Sequence, residues 1–187
     1  PGFPIGIFRG IFYRPDRPEY INYALLGSII AHEISHVFMN MTNWWTPYSL
    51  LNYDEKLQCL AGQYGKFQVA ELGKLLNPAK TRDEDMADLA AMKVSYDTYV
   101  KWVQDNGEES RLPGLNYSPN QLFWISSAIR HCSKYSTQTL EIHIANYPWS
   151  PAQYRVNGPL QNIEDFAFDF ECPVGSKMNP ETKCVIW

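Results

Sequence analysis

What this chain lacks narrows its function early. It has no surplus of positive charge: 16 Lys and Arg stand against 20 Asp and Glu, for a formal net charge of −4. A chain so balanced has no basic field for a phosphate backbone or an anionic lipid surface, so nucleic acid is not an expected partner. It has no long apolar run either. The longest, "YALLGSIIA" at 23–31, is about half of the roughly 20 residues that a bilayer needs, and it leads straight into His32, Glu33 and His36. This segment is therefore expected to make no membrane contact. The opening "PGFPIGIFRGIFYRPDRPEY" places prolines and charges where a secretory signal has an unbroken apolar core, and so abrupt a start is expected of a piece of something longer.

Cysteine is scarce as well. Cys59, Cys132, Cys172 and Cys184 contain no Cys-x-x-Cys pair, which removes zinc-ribbon and thioredoxin readings and leaves three disulfide pairings open. The sequons Asn40-Met41-Thr42 and Asn116-Tyr117-Ser118 agree with an oxidising, secretory setting. Repeats, low-complexity tracts and Gly/Ser linkers are missing too. With 45% apolar and 14% aromatic residues, residues 1–187 are expected to form a single domain around a real core.

Apolar residues at three/four spacing, Leu25, Leu26, Ile29, then His32, Glu33 and His36, predict a helix over 20–40. Pro47 opens a second helix over 47–66. A long helix is expected over 82–104, stopping before Asn106-Gly107, and another over 119–134, capped by Ser118 and Pro119. From 146 onward the proline-rich tail should wrap the surface, with a short helix near 161–169.

"AHEISH" carries the chemistry. Histidines four apart on a helix point the same way, so His32 and His36 can reach one ion, and Glu33 between them can take a proton from a water beside it. A zinc site needs a third protein ligand and an open position. "EDMAD" at 84–88 offers Glu84 and Asp88, again four apart: one carboxylate for the metal, the other for the free N–H of a ligand histidine. Alone, such carboxylates would serve only the helix dipole; two such pairs roughly fifty residues apart are a more specific signal. The ligand set of two imidazoles and a carboxylate suits Zn²⁺ best, one per chain, with cobalt and manganese as alternatives. His131 and His143 are expected to be surface or capped core residues.

"AHEISH", "EDMAD", "RLPGLNYSPNQLFWIS", "YRVNGPLQN" and the ending "CPVGSKMNPETKCVIW" together resemble the C-terminal catalytic part of the neprilysin and endothelin-converting enzyme family of zinc endopeptidases, peptidase family M13. The resemblance implies a mainly α, zincin-like (thermolysin-type) fold with little β. It implies a zinc-dependent endopeptidase acting on small peptides, with a preference for large apolar residues after the scissile bond. His32, His36 and Glu84 would be the metal ligands, Glu33 the base, Asp88 the partner of a ligand histidine and Arg155 a substrate-anchoring cation. It also implies a Cys59–Cys184 disulfide, with Cys132 and Cys172 pairing outside this chain. An extracellular or cell-surface ectodomain is expected, in which an N-terminal lobe closes over the site and the parent protein is membrane-anchored.

Several positions depart from the family pattern. Six residues before Arg155 the family carries a histidine that stabilises the oxyanion; here it is Trp149, with His143 and Tyr147 as stand-ins. The Gly- and Asp-rich segment between "HEISH" and "WWT" is missing, and "LAAM" follows "EDMAD" in place of Asn-Gly-Gly. These departures keep a second reading open: a catalytically impaired homologue that retains the fold and the zinc for peptide binding or regulation. A glycan on Asn40 is expected to be absent or to point away from the metal face.

Overall fold

The computed structural model describes residues 2–40, 43 and 45–186, with Asn40 described in its backbone alone. It is mainly helical, with a zincin-like arrangement of helices. A helical segment runs from Glu19 to Asn40 in three parts: α1 (Glu19–Asn22), a π-helical turn (Tyr23–Gly27) and α2 (Ser28–Asn40). Its start is held from a distance, because the Glu109 carboxylate accepts from the backbone N–H groups of Glu19 (2.6 Å) and Tyr20 (2.9 Å). Those N–H groups have no partner within the helix, and an acid there also suits the helix dipole.

Then come α3 (Pro47–Tyr64), a two-residue hairpin of β1 (Gln68–Val69) and antiparallel β2 (Lys74–Leu75), and the 29-residue α4 (Pro78–Asn106). Four shorter helices follow: α5 (Pro119–Ile129), α6 (Thr137–Asn146), α7 (Ala152–Leu160) and α8 (Glu164–Asp169). Among the described residues the hairpin is the only sheet.

Helix starts follow their caps. Thr46 Oγ1 accepts from the Ser49 N–H (3.1 Å) with Pro47 in the first turn, and Ser118 and Gln121 form a reciprocal capping box with Pro119. The centre of the fold is α4, with twelve buried residues along its length. Leu89, Ala90, Ala91 and Met92, the "LAAM" stretch, are all buried. The turn before α2 lies close enough to α4 that a Cβ on Gly27 would fall 2.8 Å from Ser95 Oγ, while that hydroxyl donates to the Tyr23 carbonyl (2.6 Å) inside the π turn. An aromatic layer of Tyr96, Tyr99, Phe123 and Trp124 joins α4 to α5.

Four expectations needed correction. The long helix begins at Pro78 rather than 82 and reaches Asn106, because Asn77 Oδ1 caps Ala79 N–H (3.2 Å). The helix from 119 stops at Ile129, not 134, since the chain turns at Arg130 and His131. The helix expected over 47–66 ends at Tyr64. The tail is more than a wrap: α7 is anchored to α3, with Gln63 Nε2 donating to the Gly158 carbonyl (3.0 Å) and Tyr64 OH to the Tyr154 carbonyl (3.2 Å). Cys59 and Cys184 are bonded, with Cα atoms 5.7 Å apart, and Cys132 and Cys172 are free thiols. The Asn40 side chain, Met41 and Thr42 of the first sequon and Trp44 of "WWT" lie outside the described residues.

Candidate metal centre and active site

The helical turn between His32 and His36 puts their Nε2 atoms 3.2 Å apart, with ring centroids at 4.8 Å. From α4, Glu84 reaches both: Oε2 lies 3.2 Å from His32 Nε2 and Oε1 lies 3.6 Å from His36 Nε2. One donor atom from each of the three can be chosen so that all lie within 4.8 Å of one another. Three donors each about 2.0–2.2 Å from a tetrahedral ion are separated from one another by roughly 3.3–3.6 Å, so the observed spacings fit a small divalent cation of the zinc type. His32 is buried, and His36 and Glu84 are half-buried, which leaves one side of the cluster open to solvent. Glu33 is half-buried on the same helix and makes no hydrogen bond or ion pair with the described residues.

Behind the cluster is a buried charge network. Asp88 is fully buried and lies one helical turn beyond Glu84. Its Oδ1 is 3.0 Å from His32 Nδ1, and its two oxygens accept from Arg155 Nε (2.7 Å) and Nη2 (2.8 Å). A second guanidinium, that of Arg130, approaches Asp88 to 3.8 Å. Arg130 Nε donates to His131 Nε2 (2.9 Å), which puts the proton of that imidazole on Nδ1.

These contacts set the protonation states. Burial opposes the charge on His32, but the Asp88 and Glu84 carboxylates outweigh it and raise the metal-free imidazole to about 9. Burial also works against an ionised Asp88, yet Arg155 and His32 hold it far below the usual carboxylate range. Glu84 is lowered by the two histidines despite its burial. Burial and the neighbouring Arg130 push His131 down to about 3. Next to Asp88, Asp85 is pushed up to about 8 by burial, with Ser150 and Thr81 offsetting part of the rise. Thr81 Oγ1 donates to Asp85 Oδ2 (2.8 Å), and Ser150 Oγ, though close to Asp85, closes no hydrogen bond.

The structure thus brings five of the six residues singled out in the sequence into one connected cluster, with Glu33 beside it. Arg155 is committed to Asp88 through two of its three nitrogens, leaving Nη1 for anything else. Trp149 is 37% exposed and its ring stacks on Tyr147, while its backbone carbonyl accepts from His143 Nε2 (3.0 Å). Arg130 and Asp85 were missed in the sequence, and His131, expected as a surface or capped core residue, is half-buried and accepts from Arg130 Nε. For Arg130 a signal existed: Phe123, Ser126, Ser127 and Arg130 follow the three/four spacing of the buried face of α5.

The model of peptidase family M13 matches residues 2–186. The chain belongs to peptidase family M13. Within that family it is 40% identical to neprilysin-2 of Drosophila melanogaster over 195 residues, 99% of this chain and 25% of that one. A solved chain of the Haemonchus galactose containing glycoprotein complex is 33% identical, with a TM-score of 0.91 over 98% of this chain and 33% of that one. The Mycobacterium tuberculosis zinc metalloprotease Zmp1 in its open state shares the fold, with a TM-score of 0.88 at 23% identity, over 99% of this chain and 31% of that one. The chain spans about a quarter of the length of the curated M13 relatives it matches.

Proposed function

We propose that this M13 chain is the catalytic domain of a zinc-dependent metalloendopeptidase that hydrolyses small peptides. The observation that carries the reading is the convergence of His32, His36 and Glu84 at 3.2 to 3.6 Å, with an unpartnered Glu33 on the same helix turn. His32 Nε2, His36 Nε2 and a Glu84 oxygen would hold one Zn²⁺. When bound, it would supply Lewis acidity toward a peptide carbonyl and lower the pKa of a nearby water.

The chain's own residues do the rest. Asp88 faces Nδ1 of His32, which keeps the proton on that nitrogen and leaves Nε2 as the donor atom. Arg155 balances the Asp88 charge and has Nη1 left to hold a peptide oxygen. Glu33 accepts a proton from the attacking water and returns it to the leaving amine. The 187 residues are read as one domain of a larger ectodomain, its N-terminal lobe supplied by the longer protein. An extracellular or cell-surface location fits the Cys59–Cys184 bridge and the exposed Asn116 of the second sequon.

One observation favours a second reading, an impaired homologue that keeps fold and zinc for peptide binding. An indole occupies the position where family members carry an imidazole, and its N–H can donate one hydrogen bond but cannot carry charge. The loss of one oxyanion donor costs about 10²- to 10³-fold in rate. The test is to incubate the longest native form, zinc-loaded, with internally quenched peptides beside a Glu33→Gln variant. Cleavage by the native form alone, with equal zinc in both, is the expected result. No cleavage by either, with zinc in place, would refute the enzyme reading.

A further inference from the structure

The two guanidiniums that share Asp88 also line a cavity of about 260 Å³, together with His131, His143, Trp149 and Ser150. Charge in its wall is unbalanced. Among the described residues, Asp88 is the one carboxylate within ion-pair distance of either Arg130 or Arg155, and it faces His32 as well. Arg155 takes the close contacts at 2.7 and 2.8 Å, so Arg130 is left at 3.8 Å.

Arg130 is therefore a cation with little compensation. Its side chain is only 8% exposed, its Nε serves His131, and neither Nη makes a hydrogen bond with the described residues. A guanidinium so far removed from water is costly unless an anion meets it. The rest of the wall is suited to receive one. Ser150 Oγ is buried without a closed hydrogen bond, so its hydroxyl can turn its proton to an anion. Guanidinium forks bind carboxylates through paired hydrogen bonds, which a point charge cannot match. The cavity also adjoins the reaction centre, since Arg155 reaches Asp88 and Asp88 reaches His32 Nδ1.

We propose that this cavity is a substrate pocket that receives a carboxylate of the bound peptide, held by Arg130 with help from Arg155. It rests on the peptidase reading above and deepens it. The carboxylate has two sources, an acidic side chain near the scissile bond or the peptide's own C-terminus. An acidic side chain would set this chain apart from the preference for large apolar residues that its resemblance implied.

The experiment measures binding rather than turnover, in the full-length, zinc-loaded protein carrying Glu33→Gln. Calorimetry compares amidated peptides that differ only by Glu, Gln or Leu at each position near the scissile bond, and Gln peptides of stepped length that end in a free carboxylate. One carboxylate-bearing peptide is expected to bind about 10- to 100-fold more tightly than its neutral counterpart. Arg130→Met should abolish the gap, read as the ratio of the two affinities within the same protein. Tight binding of the Glu side chain alone assigns that source, and tight binding of the free terminus alone assigns the other. Where Arg130→Met does not fold, as judged by zinc content and melting, Arg130→Lys carries the test: the gap must shrink, because lysine lacks the fork. Equal affinities in the Arg130 protein, or a gap unchanged by either substitution, overturns the proposal. A carboxylate gap in a protein whose native form cuts no peptide would sink the peptidase reading and leave the anion pocket standing.

Discussion

Replacing Asp88 by Asn probes the network most directly, because it keeps the volume and removes the charge. Asp88 has no solvent exposure and sits between Arg155, bound through two nitrogens, His32 Nδ1 at 3.0 Å and Arg130 at 3.8 Å. An amide offers one acceptor oxygen, and its NH₂ must point at one of these donors. The substitution therefore leaves buried cationic groups without an anion, a change that costs about 3–5 kcal/mol. That is a large share of a total folding stability of roughly 5–15 kcal/mol. His32 must then compete with Arg155 for the one remaining acceptor oxygen that holds its tautomer, so zinc affinity is expected to fall about 10- to 100-fold. Urea unfolding of the metal-free protein reads the first effect, and zinc competition against a chelator reads the second. A double-mutant cycle with Arg155→Met should show a coupling of about 1–3 kcal/mol, since the guanidinium no longer needs its partner. A variant within about 0.5 kcal/mol of the native protein, with unchanged zinc affinity, would refute the reasoning.

Asp85 is pushed up to about 8, above its ordinary value near 4, so both states carry its proton below about pH 4. As pH rises from there through 8 the unfolded chain gives up the proton and the folded one keeps it, so stability falls over that window. Urea midpoints of Asp85→Asn and the native chain should then diverge steadily between pH 5 and 8, and a difference independent of pH would count against this. Cys59 and Cys184 close a loop with a sequence separation of 125. In the chain-entropy model, replacing both by Ala should cost about 4–5 kcal/mol, read as an earlier melt; a shift within error would mean the reduced chain keeps its ends together.

How far the sequence could be read depends on the range of each interaction. The starts of α3 and α5 were legible because a first-turn proline and a cap act within four residues: Pro47 signalled the first, Ser118-Pro119 the second, and the Thr46 cap was added by the fold. Asn77-Pro78 is the same signal at the start of α4, and it was passed over because the apolar pattern begins later. α6 and α7 were not legible. α7 contains Gly158-Pro159 near its end, and it is anchored by Gln63 and Tyr64, ninety or more residues earlier in the chain, as well as by the Arg155–Asp88 pair. A Cβ on Gly158 would run into the Tyr64 ring, so that glycine serves close packing between helices rather than a turn.

The same rule divides the candidate site. His32, Glu33 and His36 share one helix, as do Glu84 and Asp88, so spacing alone predicts which side chains point together. Spacing says nothing about how charge is shared once the helices meet. In the sequence Asp88 had one task, to face a ligand histidine; in the fold it also answers two arginines, from α7 and from the turn after α5. A single carboxylate cannot neutralise all of them. The residue that loses this competition is Arg130, its side chain buried at the C-terminal end of α5. A buried charge that no residue of the fold satisfies at close range is tolerated most readily where something from outside brings the counter-charge. That is the reason for proposing a ligand-binding role for a cavity wall as well as for the candidate metal site.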